Sequence, residues 1–125
     1  MPLHVATQRH ADVVVITVTG ELDMDTAPEL QEQLTALLAA GAREFVFDLG
    51  EMPFCDSTGL SVFVRVKNAC DDLGGDVRLV RPQRSVHRIL EISGLTEVLP
   101  VFDSLAEALP THGSGPGGVG AAAAA

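Results

Sequence analysis

The chain has 125 residues, 46% hydrophobic and 20% charged, with 17 acidic against 8 basic side chains and a net charge of −9. This length holds one core and not two, and the composition excludes a mainly disordered chain. The acidic balance disfavours direct binding to nucleic acid, where attraction comes from Lys and Arg neutralising phosphates.

With five Phe and neither Trp nor Tyr, the core must be built from Val, Leu, Ile and Ala. Residues 111–125 are mostly Gly, Ala, Ser and Pro. Such a segment buries too little apolar side chain to offset its ordering entropy, so a domain over 1–110 and a flexible tail over 111–125 are expected.

Taken in order, Val5 to Arg9 reads as a short edge strand. Val13 to Val18 is a continuous β-branched run, bounded by Asp12 and Gly20, and predicts a strand covered on both faces. Gly20 to Asp23 is a loop. Thr26-Ala27-Pro28-Glu29 has the form of a capping box with Pro in the first turn. Ala27, Leu30, Leu34, Leu37 and Leu38 then follow at helical spacing up to a stop at Gly41.

Glu44 to Leu49 is a second buried strand. A helix opens at Asp56-Ser57-Thr58-Gly59, with Leu60, Phe63, Val64, Cys70 and Leu73 as its inner stripe and Gly74-Gly75 as its end. Val77 to Val80 is a third buried strand. Val86, Ile89 and Leu90 mark a short helix closed by Gly94. Val98 to Val101 predicts a last strand, at an edge because of Pro100. A second capping box, Ser104 to Glu107, starts a terminal helix. The order ββαβαβαβα implies an α/β fold with a mostly parallel sheet and right-handed crossovers.

Charge is uneven along the chain. From Asp12 to Ser61 there are ten acids and one base, Arg43; between Asp76 and Glu91 stand Arg78, Arg81, Arg84, His87 and Arg88 with no acid. The second run is either a solvated face or a patch for an acidic partner. No charged segment followed by an apolar one opens the chain, and no apolar stretch reaches the roughly 18 residues of a membrane span. A cytoplasmic protein without a membrane partner, with Cys55 and Cys70 reduced, is expected. Neither cysteine has a second Cys or a His at metal spacing, and Asp71-Asp72 has no second carboxylate cluster to share a cation, so no metal and no cofactor is expected.

One segment could carry chemistry. Ser57 follows a strand, at the start of a helix, outside the carboxyl end of the sheet where functional groups of open α/β folds gather. First-turn N–H groups and the helix dipole favour an anion there. Asp, Ser and Thr also cap helices with no further role. A hydrolase elbow would read Gly-x-Ser-x-Gly, but Cys55 stands at the first glycine position, and His87 lies on another helix. A phosphate-binding loop would end Gly-Lys-Ser/Thr, whereas Lys67 is eight residues past Gly59. Nothing supplies a base beside Ser57, so an enzyme is not expected.

Three words, Gly20-Glu21-Leu22-Asp23, Phe54-Cys55-Asp56-Ser57-Thr58-Gly59-Leu60 and Ile92-Ser93-Gly94-Leu95, resemble the bacterial STAS-domain anti-sigma factor antagonists in spacing and order, from about Leu3 to Leu109. The resemblance implies a single domain with a mixed, mostly parallel sheet packed with about four helices. It implies a regulator that binds an anti-sigma factor, itself a serine kinase, and so releases a sigma factor. Phosphorylation of Ser57 would switch it off, and a phosphatase would reverse the mark.

On this reading Asp56 caps the helix and orients the hydroxyl, or only caps. Asp23 positions Ser57 or meets the kinase, or is a solvated turn acid. Gly59 lets the partner approach or eases the first turn, Thr58 is a neighbouring hydroxyl in the contact surface, and Leu60 is core. A STAS subunit of another signalling or transporter-associated complex is the alternative, and the Ser-Thr pair favours the first reading. A phosphate on Ser57 would gain about 0.3–1 kcal/mol from the dipole. It would lose about 1 kcal/mol to each of Asp56 and Asp23 at ~6 Å. These effects nearly cancel, so the mark should act on association and not on the fold.

Overall fold

A computed structural model describes residues 2–109 of the chain; the tail expected over 111–125 lies outside the described residues. The β-branched run forms β2 (Val13–Thr19), flanked on one side by β1 (His4–His10) and on the other by β3 (Glu44–Asp48), β4 (Asp76–Val80) and β5 (Val101–Phe102), in the spatial order β1-β2-β3-β4-β5. Only β1 runs antiparallel; the β2–β3, β3–β4 and β4–β5 pairs are parallel. β1 is two residues longer than expected, because it pairs with β2 along its whole length from His4–Thr19 to His10–Val13.

Alternation divides the sheet into two faces. Val14, Ile16, Val18, Phe45, Phe47, Val77 and Leu79 meet the buried sides of α1 (Ala27–Ala39), α2 (Ser57–Asp72) and α3 (Arg84–Ile92). Val13, Val15, Val46 and Val80 form a smaller cluster on the opposite face, covered by Leu105, Ala108 and Leu109 around α4 (Leu105–Ala108). β2, β3 and β4 are thus covered on both faces, which suits the nearly unbroken apolar runs of β2 and β3; in β4 Arg78 interrupts the run on the α4 face. Phe47 meets Phe63 of α2 edge to face, with centroids 5.1 Å apart, and fixes α2 against the centre of the sheet.

The glycine stops form as expected. Gly41, at φ +107°, donates to the Leu38 carbonyl while the Ala42 N–H donates to Leu37, a Schellman closure that suits a residue without Cβ. The Gly74 and Gly75 N–H groups close α2 in the same pattern on Asp71 and Cys70.

Three details differ from the sequence reading. The last strand is Val101–Phe102 and not Val98–Val101: Leu95–Glu97 form a 3₁₀ turn, and Pro100 enters the sheet only through its carbonyl, which accepts from the Leu79 N–H. In α2, Val62 and Val66 join the core, whereas Val64 sits half-buried on a flank and Leu73, already in the closing turn, is exposed. The Thr26–Glu29 capping box does not form, because the Thr26 hydroxyl donates instead to the Glu21 carbonyl at 2.8 Å and accepts from the Asp23 N–H at 3.0 Å. The second box forms in half: Ser104 Oγ accepts from the Glu107 N–H, while Glu107 Oε1 accepts from the Asp103 N–H and not from that of Ser104.

Candidate functional site

The loops that follow β2 and β3 leave the carboxyl edge of the sheet side by side and are joined by backbone hydrogen bonds. The Gly20 N–H donates to Glu51, the Leu22 N–H to Phe54 and the Asp56 N–H to Leu22, at 3.0, 3.0 and 3.1 Å. Leu22 and Cys55 pair as a one-residue parallel bridge, and both side chains are fully buried. The Gly20–Asp23 loop is in this way held against the start of α2.

Asp56 is the N-cap of α2. Its Oδ1 accepts from the Gly59 N–H at 2.9 Å, and its Oδ2 accepts from the Met24 N–H at 3.2 Å. The carboxylate therefore ties the helix start to the neighbouring loop, and among the described residues it makes no hydrogen bond to the Ser57 hydroxyl. Asp23 is also spent locally: its Oδ1 accepts from the Asp25 and Thr26 N–H groups at 3.0 and 3.1 Å. Asp23 thus holds the Thr26 N–H that Glu29 would take in a capping box, and the Glu29 N–H donates to the Thr26 carbonyl.

Ser57 is the first residue of α2 and is exposed, as is Thr58. Ser57 accepts a hydrogen bond only through its main chain, from Ser61 Oγ at 3.0 Å; among the described residues nothing engages its hydroxyl. Gly59 faces inward. A Cβ placed there would lie 2.8 Å from Cys55 Sγ, from Leu22 Cγ and from the Leu22 carbonyl oxygen, so the close approach this glycine permits is to the chain's own loop. Leu60 is core. Burial, and then the neighbouring Asp56 carboxylate, push the Cys55 thiol up to about 12, so it stays protonated and unreactive behind the site.

Two exposed apolar residues with no role assigned from the sequence lie beside the start of α2. Met24 and Phe54 are 65% and 44% exposed, one on each of the two zipped loops. Phe54 stands three residues before Ser57, whereas only the pairing of the loops brings Met24 to the helix start. Exposed Met and aromatic side chains with polar residues around them are the make-up of a contact surface.

The basic run does not form one patch. Arg78 lies on the α4 face of the sheet and pairs with Asp76 at 2.8 Å, and Arg81 pairs with Asp48 at 3.1 Å; Arg84 and Arg88 are exposed on α3. Among the described residues no three His, Cys, Asp or Glu come together as metal ligands, and no helix is long and apolar enough to cross a membrane.

The family model for the STAS domain matches residues 4–108. An anti-sigma F factor antagonist of Paenibacillus polymyxa is 29% identical over 110 residues, 87% of this chain and 94% of that protein. An anti-sigma-B factor antagonist of Staphylococcus aureus is 32% identical over 101 residues, 81% and 94% of the two chains. A crystal structure of an anti-sigma factor antagonist from Mycobacterium paratuberculosis superposes with a TM-score of 0.76 at 27% identity, covering 85% of this chain and 90% of that one.

Proposed function

The chain belongs to the STAS domain family, and on that premise we propose that it is a cytoplasmic anti-sigma factor antagonist, switched by phosphorylation of Ser57. In its unphosphorylated form it binds an anti-sigma factor that is a serine kinase, and a sigma factor is released. The kinase then modifies Ser57 and the complex separates; a phosphatase restores the bare hydroxyl. The chain itself is a substrate and a binding module, not an enzyme. Asp56, Asp23, Thr58 and Gly59 belong to this surface in different ways: Thr58 in direct contact, Asp56 and Asp23 by holding the two loops together, and Gly59 by letting those loops close.

The observation that carries the proposal is the state of the Ser57 hydroxyl: solvent-exposed, free of hydrogen bonds among the described residues, and held on a rigid helix start. A kinase can reach it without unfolding anything. Phosphorylation adds about −1.5 to −2 charges, into a neighbourhood that already holds Asp23, Asp25 and Asp56. Burying that dianion against a surface fitted to a neutral hydroxyl costs several kcal/mol, and each 1.4 kcal/mol is about tenfold in affinity.

The test is incubation with a serine-kinase anti-sigma factor of the source organism and ATP, mapping of the Cys55–Arg65 peptide by mass spectrometry, and titration of variants. One phosphate on Ser57 is expected. Ser57→Ala should bind like wild type and resist inactivation, and Ser57→Asp should bind about a hundredfold more weakly. A phosphate on Thr58 alone, or equal affinity of the two variants, overturns the proposal.

A further inference from the structure

The geometry points to a second contact for the same partner: the groove between α1 and α2 receives a segment of the anti-sigma factor that carries an apolar side chain next to a carboxylate. This inference rests on the functional reading above. The groove has a volume of about 330 Å³ and is lined by Ala27, Pro28, Gln31 and Glu32 of α1 and by Thr58, Val62 and Arg65 of α2. On α2 the lining residues follow i, i+4 and i+7, so they form one stripe that begins beside Ser57 and runs about 10 Å along the helix. A kinase closed over Ser57 also covers its neighbour Thr58, and Thr58 is where the groove opens.

Two polar features say what the groove takes. Arg65 is exposed, and among the described residues its guanidinium has no carboxylate within salt-bridge distance, not even that of Glu32 in the same lining. It is a free cation on a strongly acidic molecule, at the end of an apolar floor made by Ala27, Pro28 and Val62. A carboxylate of the partner fits it.

The second feature is the Gln31 amide. Its Nε2 donates to Thr35 Oγ1 at 3.3 Å, and the Thr35 hydroxyl spends its own proton on the Gln31 main-chain carbonyl at 2.9 Å. That hydroxyl can therefore only accept from the amide, which fixes which way the amide faces. The Gln31 Oε1 is left buried without a hydrogen-bond partner. A buried orphan acceptor is a standing cost. Gln31 lines the groove, so a segment seated there can bring an N–H to this acceptor.

Arg65→Glu and Gln31→Leu test this, with affinity for a serine-kinase anti-sigma factor that binds the wild type measured by calorimetry, folding by urea titration, and self-association by light scattering. Arg65→Glu should raise Kd at least tenfold. Gln31→Leu should raise it about fivefold while its urea midpoint holds or increases, since the leucine removes an unsatisfied acceptor. Either variant binding within twofold of wild type overturns the inference, and so does a loss of affinity that merely tracks a loss of folding. A change in self-association without a change in kinase affinity would make the occupant a second copy and also overturns it. If Ser57→Asp loses binding while both groove variants keep it, only the groove falls; if the wild type binds no such kinase, the functional reading falls and the groove with it.

Discussion

The carboxylate of Asp56 accepts a hydrogen bond from the main-chain N–H of Met24, 32 positions earlier in the chain, while its other oxygen caps α2 through Gly59. One side chain thus holds together the two segments that frame Ser57. Asn can replace only half of this arrangement, because its amide has a single acceptor oxygen. Asp56→Ala should cost about 1–2 kcal/mol in a urea titration, the range of a lost N-cap. Asp56→Asn should keep most of that stability and yet speed amide exchange at Met24. Unchanged exchange at Met24 in the Asn variant would show that the tether contributes nothing.

Gly59 offers a second, independent probe of the same junction. Its missing side chain is what allows Leu22 and Cys55 to close over the first turn of α2, each within 2.8 Å of where a Cβ would stand. Two of these neighbours belong to the Gly20–Asp23 loop, one of them a carbonyl oxygen already accepting from the Asp56 N–H. Gly59→Ala should therefore push that loop outward and destabilise the fold by about 1–3 kcal/mol, as overpacking does. A urea midpoint equal to wild type would mean that the loop moves freely and that the framing of Ser57 is soft.

Much of this architecture is legible in the residues, and what is not has identifiable causes. Val13 to Val18 and Phe45 to Phe47 read as buried strands because each is apolar on successive positions, which only a doubly covered strand needs. The start of α2 reads correctly because Asp56 is a strong N-cap followed by an unbroken stripe. Thr26 misleads because Asp23, three residues earlier, takes the Thr26 N–H that Glu29 would have capped, while the Thr26 hydroxyl turns to the Glu21 carbonyl. β5 misleads because two residues carry no periodicity, so the apolar Val98 and Leu99 draw the prediction too early. Met24 beside Ser57 and the α1–α2 groove are invisible for a different reason. They are brought together by pairing between segments about thirty residues apart, and spacing along the chain holds no record of that.

The two buried thiols set a limit on stability at alkaline pH. Burial and then Asp56 raise Cys55 from its ordinary 9.0 to about 12, and burial and then Asp71 raise Cys70 to about 11. A folded-state pKa above the unfolded value favours the protonated form in the native state, so this contribution is fully present below pH 9.0 and is lost as pH climbs toward those folded values. In the unfolded chain the thiols ionise above 9.0 while in the folded chain they do not, and Cys55 should cost up to about 1.4 kcal/mol per pH unit over that window. Cys55→Ala should lower stability at neutral pH on the order of 1 kcal/mol through the small cavity it leaves, yet flatten the alkaline decline. Urea titrations of both proteins from pH 7 to pH 10.5 supply the difference curve. It should be level to about pH 8.5 and then shrink as the wild type loses its advantage. A difference that stays constant to pH 10.5 would mean that Cys55 ionises equally readily in the folded chain, and that the wall behind Ser57 admits water.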